Sequence, residues 1–192
     1  MNPLLIDIPD RLETERLLLR VPRAGDGELV YASVRESIEE LKRWMPWATD
    51  AYAATDAEEW CRRCAAQFGL REQIAFLLFD RQGVHLGNLS AFKLVWDVPK
   101  CEIGYWVRTS RTGQGYCGEA VRAVTRLFVD EMKFSRIEIR TDDRNERSAR
   151  VAERAGFQLE GVLRNECRDH QGELRGTRVY SIVSARPDSQ AR

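Results

Sequence analysis

The middle of the chain carries three glycines within six residues, Gly113, Gly115 and Gly118, directly before a segment with helical periodicity. Apolar residues then recur at the spacing of one helix face from Ala120 to Met132. Glycine adopts positive φ without strain and lets a ligand approach the backbone closely. Because free N–H groups at a helix N-terminus attract anions, this segment predicts a phosphate-binding cradle.

The segments around the cradle exclude two common phosphate-binding folds. Strands predicted at residues 74–79, 84–95 and 101–107 form an antiparallel meander before it, and a strand at 136–141 follows the helix. A dinucleotide site, whose Gly-x-Gly-x-x-Gly pattern matches here, requires strands that alternate with helices. A P-loop requires Gly-Lys-Ser/Thr after its glycines, and this segment has none. We expect instead that the strands before and after the helix run parallel and splay apart.

Composition favours one soluble domain. The chain has 192 residues with 30 basic and 30 acidic side chains, so no basic excess supports a nucleic-acid partner. The N-terminus has no signal-peptide core, and no apolar run reaches the roughly 18 residues of a membrane span. We therefore predict a cytoplasmic protein without membrane contact, with one domain at residues 1–186 and a loose tail at residues 187–192.

Five cysteines in a chain without an export pattern predict free thiols. Cys61 and Cys64 have the spacing of a metal or redox pair, but no second cysteine pair follows and the chain has only two histidines. Because a structural zinc site requires four ligands, both cysteines are interpreted as helix packing residues. No metal is predicted.

Motifs along nearly the whole chain resemble the GNAT acetyltransferase superfamily, and within it the RimJ/RimL type. They are TERLLLR at 14–20, EIGYWV at 102–107, GQGYCGEA at 113–120, NERSARVAERAGFQLEGVLR at 145–164 and RVYSIV at 178–183. The resemblance implies an α+β fold with a mixed, mostly antiparallel central sheet of about six or seven strands and flanking helices. The sheet would be splayed between the central strand and the next.

The resemblance also implies a reaction, in which a primary amine attacks the thioester of acetyl-CoA directly. The implied acceptor is the N-terminal α-amino group of a protein such as a ribosomal protein. A small amine such as an amino acid, a polyamine or an antibiotic is an alternative, and so is a non-catalytic module that binds acetyl-CoA. A homodimer is carried over from the same resemblance.

Three positions depart from the family pattern. Thr112 stands where the loop usually has Gln or Arg, and Cys117 stands where it has Gly or Ala. Ala152 stands where many members place the tyrosine that protonates the leaving thiolate, so Ser148 becomes the candidate acid. The residues expected to bind acetyl-CoA are Tyr105, Trp106, Val107, Arg108, Thr112, Gly113, Gln114, Gly115, Tyr116, Cys117, Gly118, Glu119, Asn145 and Ser148.

The resemblance makes Glu166, after the EGVLRN strand, the first candidate for the general base, with a solvated surface glutamate as the alternative. Glu102 on the central strand is the second candidate, with a structural salt bridge as the alternative. Ser148 would alternatively be an ordinary helix residue behind the N-cap Asn145. Trp44 and Trp47 lie in a polar-flanked loop and are expected to line the acceptor pocket.

Overall fold

The computed structural model describes residues 2–169 and 171–184. The predicted tail at 187–192 and the last two residues of the predicted domain at 1–186 lie outside the described residues. The strands are β1 Arg11–Glu13, β2 Leu17–Arg20, β3 Ile74–Asp80, β4 His85–Val95, β5 Lys100–Val107, β6 Arg136–Asp142, β7 Gln158–Arg168 and β8 Leu174–Val183. The helices are α1 Gly27–Leu41, α2 Ala54–Leu70, α3 Tyr116–Arg126 and α4 Glu146–Arg154.

The strands form one sheet in the order β1-β2-β3-β4-β5-β6-β8-β7. Neighbouring strands are antiparallel except β5 and β6, which run parallel and pair only from Lys100 opposite Arg136 to Glu102 opposite Glu138. The pairing ends there although both strands continue, so the predicted splay is confirmed. The α+β class is also confirmed. The additional strand β1 is only three residues long, too short to carry a detectable pattern.

Side chains of β5 alternate between two hydrophobic cores, one on each face of the sheet. Cys101 and Ile103 pack in the core that includes α3 and α4, whereas Trp106 packs in the core that includes α1 and α2. These four helices therefore cover the sheet in two pairs. The splay between β5 and β6 separates the pairs and leaves a path between the two faces.

Cys61 and Cys64 lie buried in α2 as free thiols, in agreement with their predicted packing role. Burial raises the pKa of both thiols to about 12. Within residues 2–169 and 171–184, no group of three or more His, Cys, Asp or Glu side chains is placed to hold a metal ion. In the same ranges, no helix is both long and apolar enough to cross a membrane.

One helix prediction is wrong, because the segments predicted at 26–35 and 37–44 form the single helix α1. The polar residues between them do not interrupt it. Ser37 is buried, and its hydroxyl oxygen accepts a hydrogen bond from the Thr109 N–H at 2.9 Å. A tertiary partner thus satisfies a side chain that would otherwise favour a helix end.

The predicted capping box at the start of α2, formed by Thr55 and Glu58, is also wrong. Asp56 supplies the cap, since its carboxylate accepts a hydrogen bond from the Ala53 N–H at 2.8 Å. Glu58 instead accepts a hydrogen bond from the Gly27 N–H at 3.0 Å and so joins α2 to the first turn of α1.

Candidate active site

The separation of β5 from β6 opens a cleft of about 1120 Å³. Residues 102–107 of β5 and 139–142 of β6 line it, and these begin where the pairing between the two strands ends. Facing strand edges without a partner present free N–H and C=O groups. The cleft therefore offers main-chain hydrogen bonds to a ligand that carries amides.

The glycine cradle forms the end of the cleft next to α3. Gly113 and Gly115 have φ values of +76° and +82°, and α3 begins at Tyr116 directly after them. The first N–H groups of a helix have no acceptor within the helix. Gly115, Tyr116, Cys117 and Gly118, which carry such groups, line the cleft. The predicted cradle therefore has the donors and the position to bind a phosphate.

Arg16 belongs to the cradle, although sequence reasoning did not single it out. Its guanidinium donates a hydrogen bond to the Gln114 carbonyl at 2.9 Å and lies 4.9 Å from the centroid of the Tyr116 ring. Glu119, in the first turn of α3, accepts hydrogen bonds from the Arg16 Nε and from the Thr14 hydroxyl. Burial raises the pKa of Glu119, but these hydrogen bonds outweigh it and hold the pKa below its usual value. Glu119 therefore braces the cradle from behind.

Arg108, also expected to bind acetyl-CoA, lies against α1. Its Nε donates a hydrogen bond to Glu36 at 2.8 Å, and its Nη1 donates to the His85 carbonyl at 3.1 Å. The hydrogen bond from Arg108 lowers the pKa of Glu36 to about 2. The charge of Arg108 is thus already compensated, whereas Arg111 and Thr112 line the cleft.

Tyr105 and Ser148 meet where β5 approaches the first turn of α4. The Tyr105 hydroxyl donates a hydrogen bond to the Ser148 carbonyl at 3.2 Å and lies 3.3 Å from the Ser148 Oγ. Asn145 is the N-cap of α4, because its Oδ1 accepts a hydrogen bond from the Ser148 N–H at 3.0 Å. Burial raises the pKa of Tyr105, so this hydroxyl stays protonated at neutral pH. Two hydroxyl groups are thus available as proton donors.

Cys117 lies in the first turn of α3 and lines the cleft at the cradle. Burial raises the pKa of its thiol to about 12. The side chain is therefore neutral at physiological pH, and it adds no negative charge where a phosphate would bind. The structure accommodates this departure from Gly or Ala.

The other end of the cleft lies on the opposite face of the sheet. Trp44 and Trp47 of the loop between α1 and α2 line it, and the Trp47 ring lies 6.3 Å from the Trp106 ring, centroid to centroid. Residues directly opposite each other on β4 and β5 share a face of the sheet. The floor consists of three such pairs: Asn88–Trp106, Ser90–Gly104 and Phe92–Glu102.

His85 lies buried behind this floor, a role that an isolated histidine in a strand gave no means to predict. Its ring nitrogens contact the Asn88 Oδ1 at 2.9 Å and the Ser33 Oγ at 2.8 Å. Burial lowers the pKa of His85 to about 4, so the ring is neutral at pH 7. The contact fixes the orientation of the Asn88 amide at the floor of the cleft.

The two candidate bases occupy different positions. Glu102 lines the cleft with a side chain that is 13% exposed, and it accepts a hydrogen bond from the Lys93 Nζ at 2.6 Å. Glu166, on β7, forms an ion pair with Arg140, and Arg140 lines the cleft. Glu102 is therefore in the cleft itself, and Glu166 is one side chain away from it.

Known proteins share both the sequence and the fold. The model of the family described as "Acetyltransferase (GNAT) domain" matches residues 16–158. The putative ribosomal N-acetyltransferase YdaF of Bacillus subtilis is 30% identical over 156 residues, which cover 79% of this chain and 82% of YdaF.

Two solved structures are similar in fold. One is the microcin self-immunity acetyltransferase MccE in complex with acetyl-CoA and AMP, with a TM-score of 0.86 and 20% identity over 92% of this chain and 98% of MccE. The other is RimL, a ribosomal alpha-N-protein acetyltransferase in complex with coenzyme A, with a TM-score of 0.83 and 20% identity over 88% of this chain and 95% of RimL. These structures support the fold, and the sequence matches support the family. The chain belongs to the GNAT acetyltransferase family.

Proposed function

We propose that this protein transfers the acetyl group of acetyl-CoA to the N-terminal α-amino group of a protein, and that the acceptor is a ribosomal protein. Family membership supports the reaction class, and the name of the relative YdaF supports the acceptor class. The observation that carries the proposal is the cleft between β5 and β6. It has an anion cradle at one end and an aromatic chamber at the other.

The residues of the cleft fit acetyl-CoA. The first N–H groups of α3 suit its pyrophosphate, and the free edges of β5 and β6 suit its pantetheine amides. Gly113 and Gly115 leave the cradle open, and a Cβ on Gly115 would lie 3.4 Å from the Arg16 guanidinium. When bound, acetyl-CoA supplies the activated thioester from which the acetyl group is transferred.

Proton transfer is assigned to side chains on both sides of the cleft. Glu102 takes the proton of the acceptor ammonium, because it is the carboxylate of the two candidates that lines the cleft. Glu166 remains the alternative, acting through a water molecule beside Arg140. Ser148, beside Tyr105, protonates the departing thiolate. A backbone N–H on the free edge of β5 stabilises the developing oxyanion.

A small polycation such as a polyamine is a weaker candidate acceptor. Among the described residues, nine arginines line the cleft against four carboxylate side chains, Glu40, Asp56, Glu102 and Asp142. An excess of positive charge repels a polycation but tolerates a peptide N-terminus or an amino acid. A module that binds acetyl-CoA without turnover is the other alternative, and the hydroxyls of Tyr105 and Ser148 argue against it.

We further propose a cytoplasmic homodimer that occupies residues 1–186 as one domain and has no nucleic-acid partner. The balanced formal charge agrees with the last point. The edge strand β7 supports the dimer, because Leu159, Val162 and Leu163 are 52%, 45% and 43% exposed on it. Sedimentation of the purified protein would show the dimer or exclude it.

The proposed acceptor class is tested by measuring the coenzyme A thiol released from acetyl-CoA with three acceptors. They are peptides with ribosomal-protein N-termini, the same peptides with blocked α-amino groups, and polyamines. Turnover with the free peptides alone supports the proposal. Turnover with the blocked peptides would move the acceptor to a lysine side chain, and turnover with polyamines alone would establish the small-amine alternative.

A further inference from the structure

Three arginines on the α3–α4 side of the cleft have no acidic partner. Arg122 of α3 and Arg150 and Arg154 of α4 line the cleft, and none forms an ion pair with a side chain of residues 2–169 or 171–184. Arg150 and Arg154 are four residues apart and therefore lie on one face of α4. Like charges at this spacing repel each other, so the arrangement disfavours the unliganded helix.

The acidic side chains of the same two helices do not compensate this charge. Each is already engaged elsewhere: Glu119 with Arg16, Glu146 with Arg178, and Glu153 with the Tyr180 hydroxyl at 2.9 Å. The wall formed by Arg122, Arg150 and Arg154, here called the arginine wall, is therefore a patch of positive charge that the protein itself leaves unneutralised.

The arginine wall begins at the cradle. A Cβ on Gly118, in the first turn of α3, would lie 3.4 Å from the Arg122 Nη1, so the guanidinium folds back beside the free N–H groups of that turn. A phosphate in the cradle would need only those N–H groups and the neighbouring Arg16. The cradle therefore leaves Arg150 and Arg154 without a ligand.

We propose that the arginine wall binds the 3′-phosphate of the coenzyme, so that the enzyme selects acetyl-CoA over acetyl-3′-dephospho-CoA. This inference rests on the proposed function. Besides its pyrophosphate, coenzyme A carries a phosphomonoester on the ribose, and arginine pairs with phosphate through two parallel hydrogen bonds. An acidic acceptor fits the same charge less well, because Trp44 and Trp47 place the acceptor on the other face of the sheet.

The test compares the two donors by calorimetric titration and by steady-state kinetics. The wild-type protein is expected to bind acetyl-CoA roughly 10- to 100-fold more tightly than the dephospho form, since charge-assisted hydrogen bonds are lost with the phosphate. Arg122→Gln, Arg150→Gln and Arg154→Gln should each weaken acetyl-CoA binding and leave binding of the dephospho form nearly unchanged. This non-additivity assigns the lost contact to the 3′-phosphate.

Arg126→Gln is the matched control, because Arg126 is an exposed arginine one turn beyond Arg122 on α3 and stands outside the cleft wall. It should leave the ratio of the two affinities unchanged. Equal binding of both donors to the wild type would overturn the inference while the proposed function stands. Variants that raise only the acceptor KM would overturn it in favour of an acidic acceptor. Absence of binding by either donor would instead refute the proposed function.

Discussion

The Tyr105 hydroxyl donates a hydrogen bond to the Ser148 carbonyl at 3.2 Å and lies 3.3 Å from the Ser148 Oγ. This contact joins the central strand β5 to the first turn of α4. On α4 itself, Ala152 is buried and offers no hydroxyl at the position where many family members have a tyrosine. Tyr105 supplies a phenol to the same region from a different secondary-structure element.

Removal of these hydroxyls should slow the chemical step. Ser148→Ala is expected to lower kcat roughly 10- to 100-fold with little change in the KM for acetyl-CoA, because a general acid acts mainly in the transition state. Tyr105→Phe should lower kcat by a smaller factor. Tyr180→Phe is the control, since the Tyr180 hydroxyl donates to Glu153 away from the cleft. Wild-type kcat in both cleft variants would refute the assigned acid.

A side chain at Gly115 should abolish acetyl-CoA binding. In Gly115→Glu, the positive φ costs about 1–2 kcal/mol of stability, and the added carboxylate repels phosphate from the cradle. Gly83→Glu is a matched control, because Gly83 has the same φ of +82° in the turn between β3 and β4. Both variants should lose similar stability in thermal unfolding, and only Gly115→Glu should lose binding in calorimetry. Intact binding would show that the phosphate lies elsewhere.

Glu102 and Glu166 can be separated by their isosteric glutamine variants. Glu102→Gln should lower kcat/KM at neutral pH by roughly 100-fold or more, the usual contribution of a general base. Glu166→Gln should have a smaller effect that depends on the Arg140 ion pair. Arg140→Gln, assayed alongside, should then resemble Glu166→Gln. The reverse ranking of the two glutamates would make Glu166 the base and Glu102 a partner of Lys93.

The buried His85 should make stability depend on pH. Its pKa is lowered from 6.5 to about 4 by burial, so the unfolded chain binds a proton more readily than the folded one. The contribution is complete above pH 6.5 and is lost as the pH falls towards 4, up to about 3 kcal/mol in total. Urea unfolding from pH 7 to 4.5 should show this slope in the wild type and a smaller one in His85→Gln. Equal slopes would show that His85 titrates normally.

The sequence predicted the sheet around the cleft because the relevant patterns are local. Glycines before an amphipathic helix, and the meander before them, determine both the cradle and the order of the central strands. Arg150 and Arg154 also have a local pattern, since their spacing already puts them on one face of α4. The boundary between residues 26–35 and 37–44 failed because the partner of Ser37 is 72 residues away in the chain.

Other parts of the site depend on contacts that no local pattern encodes. Lys93 has a φ of +54° where the pairing of β4 with β5 shifts register between Phe92 and Val95, and this bulge turns its side chain to Glu102. Arg16 reaches the cradle from a segment almost a hundred residues earlier, through its hydrogen bond to the Gln114 carbonyl. Such residues become recognisable only once the sheet is assembled.

The cleft is lined from both faces of the sheet, by residues of α3 and α4 on one side and by Trp44 and Trp47 on the other. Donor and acceptor therefore enter from opposite sides, and neither has to leave before the other arrives. The kinetic consequence is a sequential mechanism through a ternary complex. Double-reciprocal plots of rate against one substrate, at several fixed concentrations of the other, will then intersect, whereas an acetylated enzyme intermediate would give parallel lines.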